Sequence, residues 1–518
     1  MKITWKELLL ALASGALTAI AFPGLGLSVL AWVSLIPLFY ILRRHTPGQA
    51  FGLCSLTGFV FYGILLNWIP AVPQHYGNLS RGLSLLAYLA LILFLSLFWG
   101  LFGLLFGRTR LRYPRLAFYL APFIWVGVEY ILSFILTGFP WGLLGYTQYR
   151  NLLVIQVAAV GGVYAVSFLI VLLQGLFVLS MTRKSRAPFF AALAIVAAVH
   201  GAGLLSLRKV KPTGESFTAG VIQGNVAPDI RWDWMTSPQV IQVFDQHLTL
   251  TRQAVKKGAQ FVVWPEFSVP LCFSCTDPLP ARFKGDLLRF VDTTKTTMLV
   301  GSSETSGSQE DPQYFNSALG LSPGQPFTQY SKRHLVPFGE YTPYPAVFGW
   351  VRSVTRAIGD LTPGTQYVLH QYRDLKFGSP ICFEIIFPDL VRRFVRQGAN
   401  FLVNITNDGW YGRSWGPRQH FAMSVFRAVE NRRFLLRSAT TGISAIVDPY
   451  GRIVSRTELL TRAFLTGTVT PARGRTLYTR NGDLLAQAGL TLSFIFFMLA
   501  VLTRPHERQK RDGSRPIY

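Results

Sequence analysis

A thiol, an amine and a carboxylate stand at the ends of apolar runs in the second half of this chain, and together they could carry an acyl group. The thiol is Cys382, in Gly378-Ser-Pro-Ile-Cys-Phe-Glu-Ile-Ile-Phe-Pro388. Pro380-Ile381 leads into what reads as a strand end, and the pattern past Pro388 (Leu390, Val391, Phe394, Val395) is that of an amphipathic helix. A nucleophile at a sharp strand-to-helix turn is held exposed, beside backbone N–H groups that can stabilise an oxyanion. The carboxylate is Glu266, closing Phe261-Val-Val-Trp-Pro-Glu266. The amine is Lys332, in Tyr330-Ser-Lys332-Arg-His-Leu-Val-Pro-Phe-Gly-Glu340-Tyr.

Each has a task in transfer through a thioester: Cys382 as nucleophile, Glu266 as base, Lys332 as the cation that stabilises thiolate and oxyanion. A free thiol with a pKa of about 8.5 is only a few per cent ionised at neutral pH, and a glutamate sits about four units lower. Moving the proton from Cys382 to Glu266 therefore costs about 6 kcal/mol unless the site shifts both groups. Burial behind Trp264-Pro265 and nearby acids, Glu340 and Glu384, would raise Glu266, whereas Lys332 would depress it. The sequence leaves open which wins. Taken singly, Cys382 reads equally as a core thiol, Lys332 as a solvated charge in a basic run and Glu266 as a surface carboxylate, and no spacing connects the three.

The elements that must position these residues belong to a membrane protein. Of 518 residues, 50% are hydrophobic and only 14% charged, too apolar for an ordinary soluble chain. The net charge of +25 does not indicate nucleic acid: before position 208 the only acids are Glu7 and Glu129, and the basic residues cluster between apolar runs with no aromatic interleaving. Four cysteines are too few for a disulfide scaffold. Eight apolar segments, at about 7–23, 25–42, 50–73, 82–107, 116–137, 152–182, 187–207 and 484–502, can each cross about 30 Å of hydrocarbon, the first two being short. Lys and Arg gather in alternate loops (Lys2 and Lys6; Arg43 and Arg44; Arg108 to Arg115; Arg183 to Arg186; Arg504 to Arg515). By the positive-inside rule both termini are cytoplasmic and the long stretch between the last two segments is outside. Lys2, Lys6 and Ala19-Ile-Ala21 also fit a cleaved signal peptide, but another apolar segment follows almost at once and retention is expected.

Three regions are expected: residues 1–211 with seven transmembrane helices, an outer α/β domain at 212–475, and 476–518 with the eighth helix and a basic cytoplasmic tail. In the outer domain, strands are expected at 218–223, 260–264, 297–302, 317–321, 379–383, 400–406 and 443–448, and helices at 238–257, 281–294, 388–398 and 418–437. Glu129, at membrane depth, is either functional or a neutral acid bonding a neighbouring helix. The aromatic loop Thr137-Gly-Phe-Pro-Trp-Gly-Leu-Leu-Gly-Tyr146 lies on the outer face, as a lipid entrance or an interfacial anchor, which makes Tyr146 a substrate-contact candidate. At 341–370, Tyr344, Val347, Phe348, Trp350, Val351, Val354 and Ile358 recur at helical spacing opposite Arg352 and Arg356. That pattern suits an arm dipping toward lipid, with Trp350 a second contact candidate, or a helix packed on its own domain. Cys272-Phe-Ser-Cys275 cannot alone fill a zinc site, and a local disulfide is expected; Cys54 is expected in packing.

Val263-Trp-Pro-Glu266, Tyr330-Ser-Lys332 with Pro337-Phe-Gly-Glu340-Tyr, and Ile381-Cys382-Phe-Glu384 resemble the three signature regions of the nitrilase (carbon–nitrogen hydrolase) superfamily. Set among eight membrane segments, with Asn404-Ile-Thr-Asn-Asp408-Gly-Trp410-Tyr-Gly and Gly138-Phe-Pro-Trp141, the whole chain resembles the bacterial apolipoprotein N-acyltransferase family. The resemblance implies an αββα sandwich on the periplasmic side of the inner membrane, with Glu266, Lys332 and Cys382 as a catalytic triad supported by Glu340 and Glu384. It implies ping-pong transfer of an acyl chain from a phospholipid, typically phosphatidylethanolamine, through Cys382 to the α-amine of a diacylglyceryl-cysteine at an apolipoprotein N-terminus. This is the last step of bacterial lipoprotein maturation. Trp232, Phe383 and Trp410 would lie around the substrate; Phe383 stands where such enzymes carry a tyrosine. No metal, cofactor or nucleic acid is expected, and a monomer is. Two other readings remain: a membrane-tethered amidase of the same superfamily, and a transporter or sensor with an inactive outer domain. An acyl adduct on Cys382 separates the three.

Overall fold

A computed structural model describes residues 2–183, 185–208, 214–226, 237–269, 272–308, 310–349 and 361–502. Trp232, residues 350–360 of the expected arm (Trp350 among them) and the basic tail lie outside the described residues. The first half is helical: α1 (Trp5–Ile20), α2 (Ile36–Leu42), α3 (Pro47–Leu65), α4 (Ala71–Tyr76), α5 (Arg81–Arg112), α6 (Leu116–Leu132), α7 (Ala158–Arg183) and α8 (Ala187–Arg208). Among the described residues, five helices are long and apolar enough to cross a membrane: Pro47–Leu65, Arg81–Arg112, Ile155–Thr182, Ala187–Arg208 and Leu484–Leu502. Glu7 closes a capping box with Thr4 at the start of α1, so one of the two early acids is a helix cap.

The second expected segment is not a single helix. It divides into a 3₁₀ turn (Ser28–Trp32) and α2, with Pro37 in the first turn of α2. Backbone groups freed at the break would be costly in lipid. Gln174 of α7 takes them up, accepting from Leu35 N (2.6 Å) and donating to Ala31 O (3.0 Å). Glu129 sits near the end of α6 and fastens the aromatic loop that follows. One carboxylate oxygen accepts from Trp125 Nε1 (2.9 Å) in its own helix and from Leu144 N (2.8 Å) in the loop.

Among the described residues, the second half holds twelve strands in two six-stranded sheets. They are β1 (Phe217–Gln223), β2 (Phe261–Val263), β3 (Thr297–Gly307), β4 (Pro312–Leu321), β5 (Thr328–Ser331), β6 (Leu369–Tyr372), β7 (Leu375–Gly378), β8 (Phe401–Thr406), β9 (Leu435–Ala439), β10 (Ala445–Val447), β11 (Ile453–Arg456) and β12 (Ala463–Val469). One sheet runs β12-β1-β2-β3-β4-β5 and the other β11-β10-β9-β8-β7-β6. In each, a parallel core (β1-β2-β3; β7-β8-β9) carries antiparallel edges. Of these, β1, β2 and β8 are buried almost throughout and are mainly apolar, as parallel strands covered on both faces tend to be. The sheets pack face to face through Phe217, Phe261, Phe377 and Phe401, with centroids 5.0–5.4 Å apart. Helices α9 (Ser237–Lys256) and α10 (Pro278–Thr294) cover the first sheet, Phe244 stacking on Phe283 at 4.1 Å and Thr251 accepting from Trp264 Nε1 (2.7 Å). After the short α11 (Pro345–Phe348), α12 (Pro388–Arg396) and α13 (Gly416–Asn431) pack against the second sheet, and α14 (Leu477–Asn481) leads into α15 (Leu484–Leu502).

Two expected elements move. The strand placed at 379–383 ends at Gly378, and Cys382–Ile386 forms a 3₁₀ turn instead. Pro380 has no N–H for a ladder, and the N–H of Ile381 goes to Glu384 Oε2 (2.8 Å). The helix placed at 418–437 stops at Asn431, where Arg432 turns left-handed (φ 50°) and the chain enters β9.

Candidate active site

Glu266, Lys332 and Cys382 come from different strands and meet at one end of the sandwich. Glu266 follows β2, Lys332 follows β5 at once, and Cys382 opens the turn beyond β7. Carboxyl ends of parallel strands are where such sheets leave a crevice. All three are buried, at 3%, 1% and 5% exposure, so their charges meet little water.

Glu266 Oε1 accepts from Asn316 Nδ2 (2.6 Å) and lies 3.6 Å from Lys332 Nζ; Oε2 accepts from the backbone N of Asn407 (2.6 Å). Lys332 Nζ donates to Glu340 Oε1 at 2.7 Å, and Glu340 Oε2 accepts from Val336 N (2.8 Å). Glu384 accepts from Tyr330 OH (2.8 Å), Arg333 N (2.7 Å) and His334 N (3.2 Å), besides Ile381 N. One fully buried carboxylate thus joins the lysine loop to the nucleophile turn, a positioning task that its spacing from Cys382 does not announce. Cys382 takes a left-handed backbone (φ 48°), a strain that persists only where its surroundings enforce it.

Burial pushes Glu266 above its ordinary value, Lys332 pulling it down and Glu340 pushing it up, so the contest left open by the sequence goes to burial. Burial also pushes the Cys382 thiol up, Glu266 adding to it and Lys332 opposing. For Lys332 burial acts downward, but Glu340, Cys382 and Glu266 hold it above the usual lysine range as a fixed ammonium. A neutral thiol, a carboxyl of raised affinity and a permanent cation make an arrangement in which a proton can pass between sulfur and oxygen. Among the described residues, no group of three or more His, Cys, Asp or Glu is placed to hold a metal ion.

Behind the nucleophile lies a second buried cluster. Asp408 pairs with Arg437 NH2 (2.7 Å) and His420 Nδ1 (2.9 Å), and His420 Nε2 lies 3.2 Å from the carbonyl oxygen of Cys382. The Trp141 ring, from the membrane half, stacks on His420 at 5.5 Å.

Residues 14–176 match the family model for the apolipoprotein N-acyltransferase N-terminal domain, and residues 218–478 that for carbon-nitrogen hydrolases. The chain is 38% identical over 495 residues to the apolipoprotein N-acyltransferase of Geobacter metallireducens, covering 93% of each. It is 32% identical to that of Nitrosomonas europaea (96% of this chain, 98% of the relative) and 34% identical to that of Azotobacter vinelandii (92% of each). The chain belongs to the apolipoprotein N-acyltransferase family. It is an acyltransferase with a nitrilase-like domain and a helical N-terminal region. Among solved structures it is similar to Saccharomyces cerevisiae Nit3, of the nitrilase superfamily, at 18% identity and a TM-score of 0.38 over 51% of this chain and 93% of that one.

The remaining site candidates of the acyltransferase scatter. Phe383 is buried in the nucleophile turn, 5.3 Å from the Phe387 ring and 5.9 Å from His334. Trp410 is half-buried, its ring 4.6 Å from Tyr76 of the membrane half. Tyr146 does not face a lipid entrance. It is 1% exposed, accepts from Arg427 NH2 (3.1 Å) and packs on Phe426, because its loop folds under α13. Cys272 and Cys275 are joined in a disulfide, and Cys54 is buried and free. Sequence reasoning did not find Asn316 or the Asn407 N–H, which lie 50 and 141 residues from Glu266. It did not find His420 either; the only signal was an Asn-Asp-Gly motif without a partner.

Proposed function

We propose that the chain N-acylates the N-terminal diacylglyceryl-cysteine of apolipoproteins with an acyl chain drawn from a phospholipid, using Glu266, Lys332 and Cys382 in two half-reactions. Glu266 takes the thiol proton as the sulfur of Cys382 attacks the ester carbonyl, and the C–S bond forms. The oxyanion is met by Lys332 and by the N–H of Phe383, which a helical turn leaves unpaired in its first positions. Collapse breaks the ester C–O bond, Glu266 returns the proton to the leaving oxygen, and a lysophospholipid departs. The amine of the acceptor then attacks the thioester, gives its proton to Glu266 and releases Cys382. Burial raises both the thiol and the carboxyl, so neither group is displaced alone against the other.

Phosphatidylethanolamine fits as donor. Placement of the domain at about 212–475 on the periplasmic side of the inner membrane, with eight spans and both termini cytoplasmic, follows from the distribution of Lys and Arg. The protein works as a monomer in this reading. Glu340 and Glu384 hold the triad, while Phe383 and Trp410 line the acyl path. The observation that carries the proposal is the buried Glu266–Lys332–Glu340 assembly around Cys382, joined to apolar helices. Mass spectrometry of the purified protein after incubation with phospholipid tests it. An acyl adduct on Cys382 that disappears on adding a diacylglyceryl peptide is expected; no adduct, or full activity in Cys382→Ser, would overturn it.

A further inference from the structure

The Cys382 carbonyl is held from the side away from the triad. His420 Nε2 lies 3.2 Å from it, and the ring is completely buried on α13. Asp408 Oδ1 at 2.9 Å and Arg437 NH2 at 3.1 Å fix Nδ1, while Thr406 donates to Asp408 Oδ1 (3.0 Å). Burial would lift Asp408, but Arg437 and His420 hold it well below the usual carboxylate range, so it is a permanent anion. Trp141 covers the imidazole face, and its Nε1 donates to Gln419 Oε1 (2.7 Å), which neighbours His420. A carbonyl oxygen can only accept, so the 3.2 Å contact assigns the proton to Nε2, and Arg437 NH2 donates to Nδ1 of a ring that burial and Arg437 hold toward its neutral form.

A trans peptide is planar, with its C=O and N–H pointing in opposite directions. Fixing the oxygen of the Cys382–Phe383 peptide on the His420 side therefore aims the Phe383 N–H toward the other side. The left-handed Cys382 needs such an anchor, since nothing in its own backbone preference maintains φ 48°.

We propose that His420, held by Asp408 and Arg437, is a positioning residue that sets the Cys382–Phe383 peptide and thereby the oxyanion donor of the acylation step. The inference rests on the thioester reading above. His420 touches no reacting atom; it acts through the peptide it holds.

The test compares His420→Gln, whose amide nitrogen can reach where Nε2 stood, with His420→Leu, which fills the space without a donor. The full chain in detergent micelles is given phosphatidylethanolamine, and the rate of adduct formation on Cys382 is followed against lipid concentration, alongside the melting temperature. His420→Leu should lower the limiting acylation rate by about 10²- to 10³-fold, the loss typical of one oxyanion donor, with the half-saturating lipid concentration shifted by less than about twofold. His420→Gln should recover all but about tenfold of the rate. The idea is overturned if His420→Leu acylates at the parent rate, or if its loss lies in lipid affinity or tracks a fall in melting temperature. It is also overturned if folded His420→Gln is no faster than His420→Leu. Absence of any adduct on the parent protein overturns the thioester reading itself and this inference with it, whereas the other outcomes overturn this inference alone.

Discussion

Glu340 donates nothing to substrate, yet it sets the charge around Glu266 from two directions. Its carboxylate raises the proton affinity of Glu266 directly, and it occupies Lys332, whose ammonium would otherwise lower that affinity further. Glu340→Gln removes the first influence and frees the second, and both changes favour the ionised Glu266. The sign follows: a base whose affinity for protons falls stays active to lower pH, so the acid limb of Cys382 acylation should move down the pH scale. The plateau rate should fall by about 10- to 100-fold, because Lys332 loses the partner that places it and small misplacements of a catalytic group cost about that much. Measuring adduct formation on Cys382 across pH checks both, and an acid limb that stays in place would mean that burial of Glu266, not its charged neighbours, controls the step. How little of this the sequence reveals is instructive. Glu266, Lys332, Cys382 and their supports Glu340 and Glu384 could be named from the motifs they resemble, but Asn316, the Asn407 N–H and His420 could not. Asn316, Asp408 and His420 are polar residues at buried positions, and nothing local distinguishes a buried asparagine that serves a catalytic base from one on a turn.

At the scale of elements, the Glu266 loop lies against β3 with no room to spare. A Cβ on Gly301 would stand 2.5 Å from Pro265 O and 2.7 Å from Glu266 Cα, both backbone atoms that cannot swing aside. Gly301→Ala should displace the loop and lower the acylation rate by about 10²-fold or more, with folding otherwise retained, as a rate assay with a circular-dichroism control would show. Glu129 plays a comparable part in the membrane half, tying the loop that carries Trp141 to α6. Glu129→Leu strands two buried donors, Trp125 Nε1 and Leu144 N, and should cost about 2–6 kcal/mol in stability, at about 1–3 kcal/mol for each unpaired donor. Glu129→Gln, which keeps an acceptor oxygen, should cost much less, and hydrogen exchange at Leu144 should rise only in the leucine variant. The central strands β1, β2, β8 and the first half of β3 were legible because strands buried on both faces are mainly apolar. The hairpin of β6 and β7 was not: its turn is Arg373-Asp374 with Arg373 left-handed (φ 53°), where a glycine or asparagine would have signalled it. The broken second segment was hidden too, since the glutamine that makes the break tolerable lies on α7, far along the chain.

Across the whole molecule, several buried polar contacts fasten the α/β domain to the helical half, and the Arg427–Glu430 pair within α13 makes two of them. Arg427 Nε lies 2.9 Å from Glu430 Oε2, and Arg427 also reaches Tyr146 OH in the membrane half and Ile386 O at the end of the nucleophile turn. Glu430 Oε1 accepts from Val163 N (2.9 Å), freed where α7 kinks at Gly161-Gly162. Gly162 is left-handed (φ 68°) and faces the Tyr478 ring, so the kink is built in and not incidental. Glu430→Leu leaves an uncompensated guanidinium in the seam and should cost about 3–5 kcal/mol. Arg427→Met alone leaves a buried carboxylate and should cost a similar amount. Removing both charges leaves only Val163 N without an acceptor, a loss of about 1–3 kcal/mol, so the double variant should be more stable than either single one. Denaturation of the four proteins in micelles closes the cycle. If the double variant instead loses the sum of the two singles, the pair is not the lock, and the domain's orientation must come from the other contacts across the seam, such as Trp68 and Trp141 Nε1 donating to Gln419 Oε1 and Arg432 donating to Gln156 Oε1. Position over the membrane matters to this chemistry because both proposed substrates bring their reacting groups only as far as the headgroups. A seam that rocked by an ångström would therefore carry Cys382, through Ile386, away from the depth at which an ester carbonyl can be met.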